Sequence, residues 1–203
     1  MFVLTGKTDR VSTLSAGVRA GQRVSEFEWA ERISYVGEAC PGGVDGFGHS
    51  SMPMLRSGDL RINFKTSSPS DLSFCRNGCF EIVVNSTLAD ALRATFPNVR
   101  LDRVEVENAK LLGQDFYEVV RPIESSIDLP RSGFELKKRC EVCSFNEKAR
   151  VRISGLHLVG CPEGVDVWTT IQNPFLCLIS DRLADFLLKH SHSAFSLINL
   201  EDW

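Results

Sequence analysis

Residues 80–106 read FEIVVNSTLADALRATFPNVRLDRVEV, and residues 175–200 read FLCLISDRLADFLLKHSHSAFSLINL. At a constant offset of 95, Phe80 aligns with Phe175, Val84 with Ile179, Asn85 with Ser180, and Leu88-Ala-Asp90 with Leu183-Ala-Asp185. Each copy predicts a short apolar strand, a helix and a second strand. Asn85 and Ser180 stand where a helix begins, and both are residue types whose side chains accept from its first N–H groups. Leu88, Ala91 and Leu92 share one helical face, as do Leu183, Phe186 and Leu187. Beyond the second helix, Phe195, Leu197 and Asn199 alternate with Ser196, Ile198 and Leu200, the period of a strand. Duplication and the shared physics of strand–helix–strand units both account for the likeness. The expected class is α/β or α+β: a mixed sheet with two similar strand–helix–strand units and few short helices.

Outside the copies the signals are shorter. Phe116–Val120 predicts a strand, and Pro122 and Pro130 bracket a connector through Ile123–Leu129. Val151, Ile153, Leu156 and Leu158 surround Gly155, which predicts a β-hairpin. The first 25 residues are polar and rich in Ser and Gly, and Ser25-Glu-Phe-Glu28 has capping-box spacing. Residues 40–57, CPGGVDGFGHSSMPMLRS, carry turn chemistry and predict a long ordered loop. The chain is expected to be a single domain over 1–203, with substructure at 1–110 and 111–203.

The 203 residues are 43% hydrophobic and 24% charged, which is ordinary for a globular chain. The net charge of −3 lacks the basic footprint that sequence-independent nucleic-acid binding requires, so nucleic acid is not the expected partner. The longest apolar run, Phe175–Ile179, is far short of a membrane span, so no membrane partner is expected either. MFVLTGKTDR has no basic stretch ahead of its apolar residues, so no secretory leader is expected and the localisation read from it is cytoplasmic.

Seven cysteines stand at 40, 75, 79, 140, 143, 161 and 177, and in that compartment they read as reduced thiols or metal ligands. Cys140-Glu-Val-Cys143 can turn two thiolates inward and supply half of a tetrahedral zinc site. His157 and Cys161 follow at spacings that could complete it, although His157 reads equally as the polar side of the hairpin. Cys75-Arg-Asn-Gly-Cys79 and Cys40 are further thiols, while Cys177, inside an apolar run, reads as a buried small hydrophobe. Motifs for nucleophilic chemistry are weak. Gly48-His-Ser-Ser-Met52 begins like a nucleophile elbow but lacks its last glycine, so a hydrolase using His49 and Ser50 is a remote option. His190 and His192 sit where a helix C-terminus favours positive charge. Glu105 and Glu107 are spaced to share one face of a strand, and Glu201-Asp-Trp203 places an aromatic beside two carboxylates. These five are the candidate partner-binding residues, with Trp203 as the anchor. No set of residues converges on a catalytic site, so the expectation is not an enzyme.

Asp166-Val-Trp168, Phe175–Ile179, Ser180-Asp-Arg182 and Ala194–Leu200, together with Cys140–Cys143 and more loosely Phe80–Val106 upstream, resemble the closing block of bacterial immunity proteins of polymorphic toxin systems, especially the double-CxxCG family. The likeness touches the last 130 residues or so. Two features depart from it: Ser144 follows Cys143 where the family has glycine, and the first CxxC is reduced to Cys40-Pro-Gly-Gly43. The resemblance implies an inhibitor that binds a cognate toxin domain and occludes its active site. The alternative expectation is a zinc-ribbon-containing regulatory or nucleic-acid accessory protein. Zinc, held by Cys140, Cys143, Cys161 and His157, is the cofactor to be considered under both.

Overall fold

A computed structural model describes residues 1–6, 11–15, 18–19, 55–56, 60–64, 67–76, 80–111, 113–139, 146–150, 155–170, 176–193 and 195–203. Within them the order of elements runs β1 (Phe2–Gly6), β2 (Val11–Ser15), β3 (Val18–Arg19), β4 (Leu55–Arg56), β5 (Leu60–Phe64), β6 (Leu72–Arg76), β7 (Phe80–Asn85), α1 (Ser86–Thr95) and β8 (Leu101–Val106). It then continues β9 (Phe116–Val119), β10 (Ile123–Ile127), β11 (Phe134–Arg139), β12 (Asn146–Arg150), β13 (Leu158–Val159), β14 (Val167–Thr170), β15 (Leu178–Ile179), α2 (Asp181–His190) and β16 (Phe195–Asn199). The fold is α+β and dominated by strands.

The second series repeats the order of the first, although β11 and β12 pair antiparallel where β3 and β4 pair parallel, and the pairing of the other strands shows the repeat in geometry. In β6 and β7, Leu72 stands opposite Val84 and Ser73 opposite Val83; in β14 and β15, Val167 stands opposite Ile179 and Trp168 opposite Leu178. Every partner is shifted by the same 95 positions read from the sequence. The likeness also begins earlier than the two quoted segments. The N–H of Asn85 donates to the carbonyl of Asp71 (2.9 Å), and that of Ser180 to the carbonyl of Asp166 (3.0 Å). Each helix is ten residues long, and its N-cap side chain accepts from the N–H three residues on, Leu88 at 2.9 Å and Leu183 at 3.1 Å.

Two six-stranded sheets result, β2-β5-β8-β9-β7-β6 and β13-β10-β14-β15-β1-β16. They are one circular order opened at different places. The first sheet brings β2 alongside β6. In the second, Leu156 N–H donates to Leu200 O (2.6 Å), where the first pairs Leu60 with Val104. Each series lends its first strand to the other. β1 lies antiparallel between β15 and β16, and β9 lies antiparallel between β7 and β8. The registers again agree: Phe2 faces Ile179 and Asn199, while Tyr117 faces Val84 and Arg103.

Because strand side chains alternate, each sheet has two apolar faces. One face of both sheets and the inner stripes of both helices merge in a shared core holding Leu4, Ile82, Leu88, Leu92, Phe96, Val119, Cys177, Leu183 and Phe186. The opposite faces enclose smaller cores, Leu60, Ile62, Phe64, Val83 and Phe116 in one half and Val3, Trp168, Leu176, Leu178 and Leu200 in the other. Asp71 and Asp166 then tie the ends of α2. The buried Asp166 carboxylate accepts from Ser180 Oγ and Arg182 Nη2, both at 2.7 Å. Asp71, from the first half, accepts from His192 N (2.7 Å), Ser191 Oγ (3.2 Å) and Ser193 Oγ beyond the helix C-terminus. Asp166, Ser180 and Arg182 therefore meet at one capping node, while Trp168 packs in the smaller core of that half.

Two expectations are corrected. Ile123–Ile127 is a strand rather than a connector, parallel to β14, and its Ser125 is buried because the Trp168 indole N–H donates to it (3.1 Å). The hairpin expected around Gly155 has its first arm, 151–154, outside the described residues. β13 pairs with β10, and a hairpin joins β11 to β12, with Arg139 opposite Asn146 at either end of the Cys140–Cys143 segment. The polar opening of the chain contains β1, which the sequence reading passed over. The helix expected after Ser25 and most of the 40–57 loop lie outside the described residues.

Leu4→Ala should lower stability by about 3 kcal/mol, because Leu4 fills the shared core from a borrowed strand; urea unfolding measures this. Burial works to raise the Asp71 pKa, but hydrogen bonds from Ser193, His192, Ser191 and Leu72 outweigh it and hold the carboxyl below its ordinary 3.8. A depressed native pKa stabilises the fold above the ordinary value, and the effect fades as pH falls through the native one. Asp71→Asn should therefore cost about 1–2 kcal/mol at neutral pH, with the gap to the parent closing in unfolding curves taken progressively below pH 3.8.

Candidate partner-binding surfaces

Glu105 and Glu107 end β8 on the face opposite the buried Val104, and both are exposed. Arg61, on the parallel neighbour β5, stands opposite Glu105 by register. Its guanidinium reaches both carboxylates, Nε to Glu105 Oε2 at 3.1 Å and Nη2 to Glu107 Oε1 at 2.5 Å. The patch is therefore partly neutralised by the chain itself, which the spacing of the two glutamates gave no way to see.

Glu201 and Asp202 lie on a short 3-10 turn, Leu200–Asp202, that continues β16. The Asn199 side chain accepts from Glu201 N–H (3.1 Å), and buried Leu200 pins the turn to the smaller core of that half. Both carboxylates are exposed, and among the described residues no cationic side chain forms an ion pair with either. Trp203, half-buried, packs against the same core. Counting from the matched pairs Leu60–Val104 and Leu156–Leu200, the two candidate surfaces are equivalent places in the two halves. Glu201 corresponds to Glu105, Trp203 to Glu107, and His157 to Arg61.

An apolar cavity of about 310 Å³ opens beside Trp203. Its walls come from Val3–Gly6 of β1, from Phe74 and Ile82 of the first half, and from Leu176, Cys177, Ile198 and Trp203. Gly6 is required by its neighbour, since a Cβ there would lie 2.3 Å from a ring carbon of Phe74. The equivalent place in the first half is polar. Glu118 stands for Val3, Glu81 for Leu176, Asp102 for Ile198 and Arg121 for Gly6. Glu81 and Glu118 are only 2% and 7% exposed, and Arg121 Nη1 crosses to donate to Leu176 O (3.3 Å). The sequence hides this contrast, because the counterparts share no residue type.

Cys177 lies in the cavity wall, and burial pushes its thiol up to about 11, against the pull of the Arg121 charge. The prospective metal ligands are dispersed or undescribed. His157 is half-buried, its N–H donating to Ser132 Oγ (2.8 Å) and its carbonyl accepting from Asp128 N–H (2.8 Å), and Cys161 is exposed. Cys140 and Cys143 lie outside the described residues, as do Cys40, His49 and Ser50; the side chains of Cys75 and Cys79 do as well. Among the described residues no three His, Cys, Asp or Glu side chains gather as metal ligands would, and no helix is long and apolar enough to cross a membrane. His190 ends α2 and stacks on Phe186 with ring centroids 4.4 Å apart.

No protein-family model matches the chain, and no curated protein matches it.

A neutral, enclosed thiol is a poor nucleophile. Iodoacetamide at pH 8 should label Cys161 in the folded protein and spare Cys177 until denaturant is added, as peptide mass mapping would show.

Proposed function

We propose that this chain is an immunity protein, a cytoplasmic binder that neutralises a cognate bacterial toxin domain by covering its active site. The observation that carries the reading is the grouping at the end of β16. An aromatic wall, an open apolar cavity and two exposed carboxylates that no cation pairs among the described residues stand together at a turn pinned to the core. Interfaces draw most of their energy from a few aromatic or aliphatic anchors seated in pockets, with charge around them setting encounter rate and partner choice. A toxin that attacks nucleic acid carries a basic active-site face, and an acidic rim is complementary to it.

Mechanism under this reading is occlusion, with no bond made or broken. Trp203 and the cavity supply desolvated contact, and Glu201 and Asp202 steer the basic face of the toxin onto it. Glu105 and Glu107 lend a second, weaker attraction, because Arg61 already screens them.

Charge reversal tests it. Glu201→Lys with Asp202→Lys should weaken toxin binding by about ten- to a hundredfold and abolish protection of toxin-expressing cells, with the unfolding midpoint almost unchanged because both side chains are exposed. Glu105→Lys with Glu107→Lys should weaken binding less. Full protection by both double variants would remove these surfaces from the reading.

A further inference from the structure

We propose that the cavity beside Trp203 seats one bulky apolar side chain, aromatic or branched aliphatic, that the partner presents next to lysine or arginine. The inference rests on the toxin-binding reading and adds the chemistry of the segment recognised.

Three observations carry it. The lining holds no charged side chain, and most of its side chains are aliphatic or aromatic. Such a wall rewards burial of apolar surface and penalises an amide or a charge. At about 310 Å³ the space is at the lower limit for a small-molecule pocket and suits a single large side chain with its backbone at the mouth. The turn ending at Trp203 then presents Glu201 and Asp202, which no cation pairs among the described residues, so the residues flanking the inserted side chain are favoured when positive.

The internal repeat supplies the third argument. In the first half, Arg121 reaches across from the end of β9 to Leu176 O. Its counterpart, Gly6, has no side chain to send, and Phe74 forbids one. The position that carries a long side chain in one half thus carries none in the other, where the Phe74 ring stands against the backbone.

The test uses the full chain with labelled methyl groups, titrated with acetyl-Lys-Phe-Lys-amide, acetyl-Lys-Ala-Lys-amide and acetyl-Glu-Phe-Glu-amide. The methyl resonances of Leu4, Ile82, Leu176 and Ile198 report on the cavity. Saturable shifts are expected with the Lys-Phe-Lys peptide, none with Lys-Ala-Lys, and at least roughly threefold weaker binding with Glu-Phe-Glu, a difference that salt should erase. Cys177→Leu fills the space from within; its counterpart is Ile82, so an aliphatic side chain suits that strand position, and it should abolish the shifts. The contrast between the Phe and Ala peptides needs no variant and stands if Cys177→Leu fails to fold. Absence of saturable shifts at millimolar Lys-Phe-Lys, or equal shifts with the Ala peptide, overturns the site, and equal binding of the Glu-flanked peptide overturns its charge preference. The two readings fail separately. Loss of protection in the Glu201→Lys, Asp202→Lys variant without peptide binding overturns the cavity alone. Peptide binding in a protein that protects against no toxin overturns the immunity reading alone.

Discussion

Each sheet has a place in its middle that its own half does not fill. Between β15 and β16, and between β7 and β8, two strands stand a full strand-width apart, with backbone donors and acceptors turned toward the gap. Buried groups of that kind cost free energy unless paired. β1 and β9 satisfy them reciprocally, and much else follows from that exchange. The borrowed strands carry Leu4 and Val119 into the shared core, so α1 and α2 pack on material from both halves. Asp71 reinforces the same coupling by holding the far end of α2. The halves repeat one another in structure, yet neither sheet is complete without a strand from the other.

A repeated scaffold permits its two interiors to diverge while the backbone stays the same. Trp168 occupies the place of Ser73, and Leu176, Val3 and Ile198 occupy those of Glu81, Glu118 and Asp102. The second half is packed around an indole whose N–H is satisfied by Ser125, and its cavity lining holds no charged side chain. The first half has carboxylates there and an arginine close by. Burying acidic groups without loss of stability requires partners, and a glycine at position 121 could not reach across the seam as Arg121 does. Residue choice at Gly6 and Arg121 therefore separates a cavity from a filled seam.

Much of the fold was legible because the repeat was. The 95-residue offset, the N-caps Asn85 and Ser180 and the apolar stripes of both helices were all readable from periodicity and end signals. Asp71 and Asp166 stand at that same offset, just upstream of the compared segments, and extending the alignment would have found them. Three features were not legible for physical reasons. β1 has five residues and owes its burial to strands more than 170 positions away. β10 reads IESSI, as polar as a loop, because its serine answers a tryptophan beyond the reach of local pattern. Gly155 suggested a turn, but its φ of +73° and the 2.9 Å approach a Cβ would make to Leu200 O show backbone packed against the last turn of the chain. Of the candidate site, the residue types at 105, 107 and 201–203 were visible, whereas Arg61 and the cavity required the fold.

Arg61 also ranks the two acidic surfaces. Exposed ion pairs contribute little to stability, but one placed across Glu105 and Glu107 cancels part of the field an approaching partner feels, and displacing it exposes a guanidinium that the partner must then accommodate. At the equivalent place of the second half, histidine replaces that arginine and tryptophan replaces the second glutamate. There the charge stays uncompensated among the described residues and an aromatic wall stands beside it. The turn that carries both is anchored by Leu200 and the Asn199 cap, so little ordering remains to be done on binding, and preorganisation of that kind lowers the entropic cost of association.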